Sequence, residues 1–173
     1  TEQATKGVYT VYIGSNDDIY GNVDSSYLLS YIGYGENCID TDVITGLSLL
    51  RTENVTNMSY MFSNFGYRTM TKLELGAFDT TNVTDMSYMF NNCGNVAMAT
   101  LNLGTKFNTS EVLNMSHMFA GLAQNSTLFT TLDLGATGIT FNTSKVTDMS
   151  YMFSGCGQNA ISTFSLGSDF DTL

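Results

Sequence analysis

Apolar positions along this chain follow two periods that recur together. In VTDMSYMF (83–90) they fall at Val83, Met86, Met89 and Phe90, a spacing of i, i+3, i+6 and i+7 that predicts one face of a two-turn helix. In TLNLG (100–104) they alternate, which predicts a strand with Leu101 and Leu103 inward and Thr100 and Asn102 outward. The first pattern occurs four times, as NVTNMSYMF (54–62), NVTDMSYMF (82–90), EVLNMSHMF (111–119) and KVTDMSYMF (145–153). Each copy is followed by the second, as KLELG (72–76), TLNLG (100–104), TLDLG (131–135) and TFSLG (163–167), and then by FDT (78–80), FNT (107–109), FNT (141–143) or FDT (170–172). GLSLLRT (46–52) reads as a degenerate opening copy.

The spacing between copies is uneven in two places only. From the MF phenylalanine to the second strand leucine the gap is 13, 13, 15 and 13 residues (Phe62–Leu75, Phe90–Leu103, Phe119–Leu134, Phe153–Leu166). From that leucine to the next valine it is 8, 9 and 12 (Leu75–Val83, Leu103–Val112, Leu134–Val146). Insertions confined to fixed junctions mark loops between packed elements. Two helical turns do not persist alone in water, so neighbouring copies have to support one another. The predicted fold is an α/β solenoid, a leucine-rich-repeat-like stack of strand–turn–short helix units over residues 47–173, with four to five repeats and the last incomplete. Thr80, Thr81, Thr109, Ser110, Thr143 and Ser144 are placed to cap the helix N-termini. Residues 1–46 lack the motif and read as an N-terminal cap, with a strand in GVYTVYIG (7–14) and a helix in SSYLLSYIGYG (25–35). The opening TEQATKGVYT has no signal-peptide pattern, and the numbering is expected to begin after a cleaved one or inside a longer parent. At DFDTL (169–173) the array is expected either to meet a short cap or to have been cut from a longer one.

The NVTDMSYMFxxC string, the LxL strand and the F-D-T turn resemble the BspA-like leucine-rich-repeat surface proteins over about residues 46–172. The resemblance implies a secreted or wall-anchored bacterial surface protein that adheres to host matrix proteins, mucosal surfaces or other bacteria. Phe stands where that family's turn commonly has Trp, and no wall-sorting motif follows residue 173. The pattern carries over no catalytic residues.

Composition narrows the partners. Charged residues are 13%, about half the usual share, so the surface is built from Thr, Ser, Asn and Tyr. A net charge of −10 opposes nucleic-acid binding and polybasic membrane anchoring. No apolar run reaches the length of a spanning helix, so no membrane insertion is expected.

Candidate chemistry is sparse. Eight of the ten methionines lie in the four MSxMF motifs, where core filling outweighs binding of a soft metal. Cys93 and Cys156 share a column two repeats apart, roughly 10 Å at sheet spacing, too far for a disulfide. Cys38 has no evident partner. The acidic stretches SNDDIYGNVD (15–24) and DTD (40–42) lack a closing Glu and read as solvated loops rather than a calcium site. His117 is the sole histidine and has no local nucleophile beside it. No metal site, cofactor motif or catalytic constellation is predicted.

Two surfaces remain as ligand-binding candidates. Tyr60, Tyr88, His117 and Tyr151 form a ladder, either free to stack on a sugar or protein or spent on covering seams between helices. Thr100, Asn102, Thr131 and Asp133 stand on the outward face of the sheet with short side chains suited to hydrogen bonding. The expected function is a non-enzymatic adhesion or ligand-binding module for a host or bacterial surface protein or glycan. The alternative is a structural stalk or self-assembling unit, associating through its C-terminal repeat.

Overall fold

A computed structural model describes residues 11–12, 15–35, 44–76 and 78–171. Regular structure there is all β, and the strands are short. β1 (Val11–Tyr12) pairs with β3 (Ile44–Thr45), β2 (Ile19–Tyr20) with β4 (Leu50–Arg51), β5 (Lys72–Glu74) with β6 (Thr100–Asn102), and β7 (Thr131–Asp133) with β8 (Thr163–Ser165). Every pair is parallel. The registers Lys72↔Thr100 and Thr131↔Thr163 set KLELG on TLNLG and TLDLG on TFSLG.

The predicted strand–turn–helix solenoid is therefore corrected. Among the described residues there is no α-helix, the one helical turn is the 3-10 stretch Leu47–Leu49, and the strands form separate two-stranded parallel pairs. The MSYMF segments run as consecutive β-turns. Met61 N–H donates to Met58 O (3.2 Å), Ser63 N–H to Tyr60 O (3.0 Å) and Phe65 N–H to Phe62 O (3.1 Å). The alternate amides donate across to the following copy: Met58 to Asp85 O (2.9 Å), Tyr60 to Ser87 O (2.9 Å), Phe62 to Met89 O (2.9 Å) and Asn64 to Asn91 O (2.8 Å). Each backbone group thus finds a partner without the i to i−4 bonds of a helix. Tyr60 and Asn64 hold φ of 59° and 56° at the third position of their turns, with Ser59 and Ser63 outside the positive region, which makes both turns type II. The same inversion recurs at Tyr88, Asn92, His117 and Tyr151.

The apolar spacing nevertheless identifies the core. Val83, Met86, Met89, Phe90 and Cys93 are fully buried, as are their counterparts Met58, Met61, Phe62, Met115, Met118 and Phe119. The successive turns, which start at Met58, Tyr60 and Phe62, gather Val55, Met58, Met61 and Phe62 on the core side as a helix would, so the apolar spacing fixes the face without fixing the backbone. Phe62, Phe90, Phe119 and Phe153 stack in sequence with centroids 5.5–5.6 Å apart.

The threonines of the F-D-T turns do a different task from capping. Thr80 Oγ1 donates to Asn108 O (2.8 Å) and accepts the Asn108 N–H (2.7 Å). Thr52 makes the same pair of bonds with Asp79, and Thr143 with Asp171. These buried hydroxyls staple one copy to the next. A second column, Asp24, Asn57, Asp85, Asn114 and Asp148, is bridged in parallel throughout. In each the side-chain oxygen accepts the amide of the serine two residues on, at 2.8–3.0 Å. Aspartate alternates with asparagine along it, so no two carboxylates are neighbours.

Residues 24–31, outside the motif by sequence, follow the same path. Ser25, Tyr27, Leu29 and Tyr31 N–H donate to the carbonyls of Asn57, Ser59, Met61 and Ser63. The predicted helix in SSYLLSYIGYG is thus a run of turns, with Tyr27 and Tyr31 at φ 59° and 60°. Only Val11–Tyr12 of the predicted strand in GVYTVYIG lies among the described residues, and both are in β1.

Candidate functional site

The four ladder residues, Tyr60, Tyr88, His117 and Tyr151, do come together, and Tyr27 joins them. Ring centroids are 4.5 Å apart for Tyr27–Tyr60, 4.4 Å for Tyr60–Tyr88, 4.4 Å for Tyr88–His117 and 4.9 Å for His117–Tyr151. The inner rings spend both faces on each other, which leaves their edges to solvent. Among the described residues, Tyr27 (54% exposed) and Tyr151 (69% exposed) each have one ring neighbour. The stack also explains why tyrosine occupies a left-handed backbone position. Such a residue costs about 1–3 kcal/mol, and each aromatic pair returns about 0.5–1.5 kcal/mol. Burial, followed by the neighbouring Tyr27 and Tyr88, raises the Tyr60 phenol above its ordinary value. His117 fits the stack imperfectly, since its Nδ1 is buried with no hydrogen-bond partner. Sequence reasoning missed Tyr27, although SYLL (26–29) parallels SYMF (59–62).

The four sheet-face residues also converge. Thr100, Asn102, Thr131 and Asp133 line a cleft of about 460 Å³ between β6 and β7, which share no ladder. Ala136 and Ile139 close one side. The cleft lies where the sequence is irregular. Relative to the preceding copy, two extra residues lie between Phe119 and Leu134 and three between Leu134 and Val146. β6 and β7 share no ladder, while the flanking segments of the same two repeats stay bonded: Ala123 N–H reaches Cys93 O (3.0 Å), and Thr140 N–H reaches Phe107 O (2.9 Å). Ser126 bridges the longer loop, its buried hydroxyl donating to Met98 O at 2.6 Å. Ala136 and Ile139 were not among the sequence candidates; the uneven gaps were the signal that could have found them.

Within the cleft the chemistry is that of exposed short polar groups and backbone edges. Asn102 Oδ1 accepts the Gly104 N–H and Asp133 Oδ1 the Gly135 N–H, both at 3.0 Å, which fixes these side chains at the strand ends. Gly104 has φ 78°, and a Cβ there would meet the Gly76 Cα and Leu75 O at 2.8 Å, so only glycine lets the two strand ends approach. A second cleft of about 430 Å³ separates β4 from β5 and carries Arg51, Glu74 and Lys106. Its cations are committed, Arg51 to Asp18 (2.8 Å) and Lys106 to Asp79 (4.0 Å).

The remaining candidates fall to structural roles. Met58, Met61, Met86, Met89, Met115, Met118 and Met152 are buried, and Met149 is half-buried against the same core. Cys93 and Cys156 are both free thiols, as their spacing predicts. Burial pushes the Cys156 thiol up to about 12 and Cys93 higher still. Cys38, Asp40 and Asp42 lie outside the described residues. Among the described residues no helix is long and apolar enough to cross a membrane.

Residues 56–164 match the sequence model of a family described as "Mycoplasma protein of unknown function, DUF285". No curated protein and no solved structure matches the chain.

Proposed function

The chain belongs to the DUF285 family, and from that premise we propose that it is a non-enzymatic ligand-binding module of a secreted or cell-surface bacterial protein, holding a protein or glycan in the β6–β7 cleft. The single observation that carries this reading is the convergence of Thr100, Asn102, Thr131 and Asp133 on one cleft. Short polar side chains around an apolar floor can hold a neutral ligand by hydrogen bonds, which suits a chain with few charges on its surface. The β5–β6 and β7–β8 pairs flank it on either side. The test is a cleft filled from within, Thr100→Trp with Thr131→Trp, assayed on arrays of matrix proteins and oligosaccharides. Binding is expected to fall at least tenfold, while Tyr20→Ser, exposed on β2, leaves it unchanged. Wild-type binding by the filled variant sinks the reading.

A second reading, a stalk or self-associating unit, is supported by the exposure of Phe164 (44%) and Tyr151 in the last described repeat. Their counterparts Leu132 and His117 are covered to a greater degree. Light scattering tests it: a chain that stays monomeric over a hundredfold concentration range rules it out.

A further inference from the structure

We infer that the occupant of the β6–β7 cleft is an extended peptide segment of a partner protein, which enters as an added parallel strand; this rests on the reading of the cleft as a binding site. The argument begins with the backbone. Thr100 N–H donates to Thr71 O and Leu75 N–H to Asn102 O, so β6 turns Thr100 and Asn102 toward β5 and leaves the amides of Leu101 and Leu103 facing β7. On the other side, Thr163 N–H donates to Thr130 O and Leu134 N–H to Ser165 O, so β7 turns Leu132 toward β8 and leaves the amides of Thr131 and Asp133 facing β6. Among the described residues, none of these four amides has a backbone partner across the cleft. Two parallel edges with unpaired groups, three residues long, face each other, and an extended main chain carries the complementary donors and acceptors. A sugar has no such periodic set.

The lining agrees with that occupant, since the cleft runs along both strands, from Ala99 to Leu103 on one side and from Thr130 to Asp133 on the other. A parallel strand bonded to all four amides has its middle residue level with Leu101 on one side and Leu132 on the other, and that register dictates its sequence. The side chains of Leu101 and Leu132 point inward, so the middle residue is apolar and of moderate size. The residue before it stands level with Thr100 and Thr131 and carries a hydroxyl. The residue after it stands level with Asn102 and Asp133, and the carboxylate selects a lysine or arginine there.

The test is amide NMR and hydrogen exchange on the full chain with three probes: acetyl-Gly-Thr-Val-Lys-Gly-amide, the same peptide N-methylated at valine, and a neutral β-linked oligosaccharide. The plain peptide is expected to shift the amides of Leu101, Leu103, Thr131 and Asp133 and to slow their exchange. The methylated peptide loses a main-chain donor and should bind at least tenfold more weakly. No effect of the plain peptide at these amides, or equal binding by the methylated one, overturns the inference. If the oligosaccharide alone acts there, the added strand is wrong and the binding cleft stands. If no probe acts there and the Thr100→Trp/Thr131→Trp variant keeps full binding on the arrays, both fail.

Discussion

The same two repeats meet in two regions, and they meet differently. Along the MSYMF turns they are closed: Met86, Tyr88, Phe90 and Asn92 N–H donate to the carbonyls of Asn114, Ser116, Met118 and Ala120 at 2.8–3.0 Å. Along the strands they are open, and the β6–β7 cleft lies between them. Segment length accompanies the difference without deciding it. The turn segments have identical length in both copies, whereas β7 is flanked by extra residues on both sides. β7 carries the same excess over the following copy and still pairs with β8 across three residues, so a longer loop, cheap in closure entropy, is compatible with either outcome.

The largest effect that sharpens this contrast lies in the closed region. Phe90→Ala removes a fully buried ring stacked between Phe62 and Phe119 and should cost about 3–5 kcal/mol in urea unfolding. Leu101→Ala, half-buried on the open strand, should cost less than about 2 kcal/mol. A similar loss for the two would mean that the regions are not distinct. Next comes the hydroxyl staple. Thr80→Val leaves both the N–H and the carbonyl of Asn108 without their partner and should cost about 1–3 kcal/mol. Thr131→Val, exposed beside the cleft, should stay within about 0.5 kcal/mol of wild type. His117→Tyr removes a buried, unpartnered nitrogen and restores the tyrosine column, so the unfolding midpoint should rise, by about 1 kcal/mol in stability.

The smallest effect is that of pH. The Ser26 and Ser150 amides hold the carboxyls of Asp24 and Asp148 below the ordinary carboxylate range. A folded-state value below the unfolded one gives stability that is fully present above the ordinary range and is lost as pH falls through the folded value. Urea midpoints measured downward from neutrality should show a slight acid loss that Asp148→Asn reduces; an unchanged acid profile in that variant would discount the column as an ionic contributor.

The apolar spacing of the sequence located the core correctly, to the point that Val83, Met86, Met89 and Phe90 are all fully buried. It could not distinguish a helix from successive turns, because both gather these residues on one side. What decided the backbone was bonding between copies, with alternate amides from Met58 to Asn64 reaching the next repeat, and no window within one copy contains that information. The threonines of FDT and FNT were legible as conserved within the chain but not as cross-links, for the same reason. The LxL strands were legible directly, since alternation is a local property. The cleft was legible in part: its four polar residues follow from the outward positions, but no pattern within one copy tells which neighbouring strands pair and which stay apart.

Hydrogen exchange on the free chain tests the central claim, that the same two repeats are closed along the turns and open along the strands. The amides of Leu101 and Leu103 should exchange fast while that of Tyr88, bonded to Ser116 O between the same repeats, is protected. Equal protection of all three amides would contradict the account.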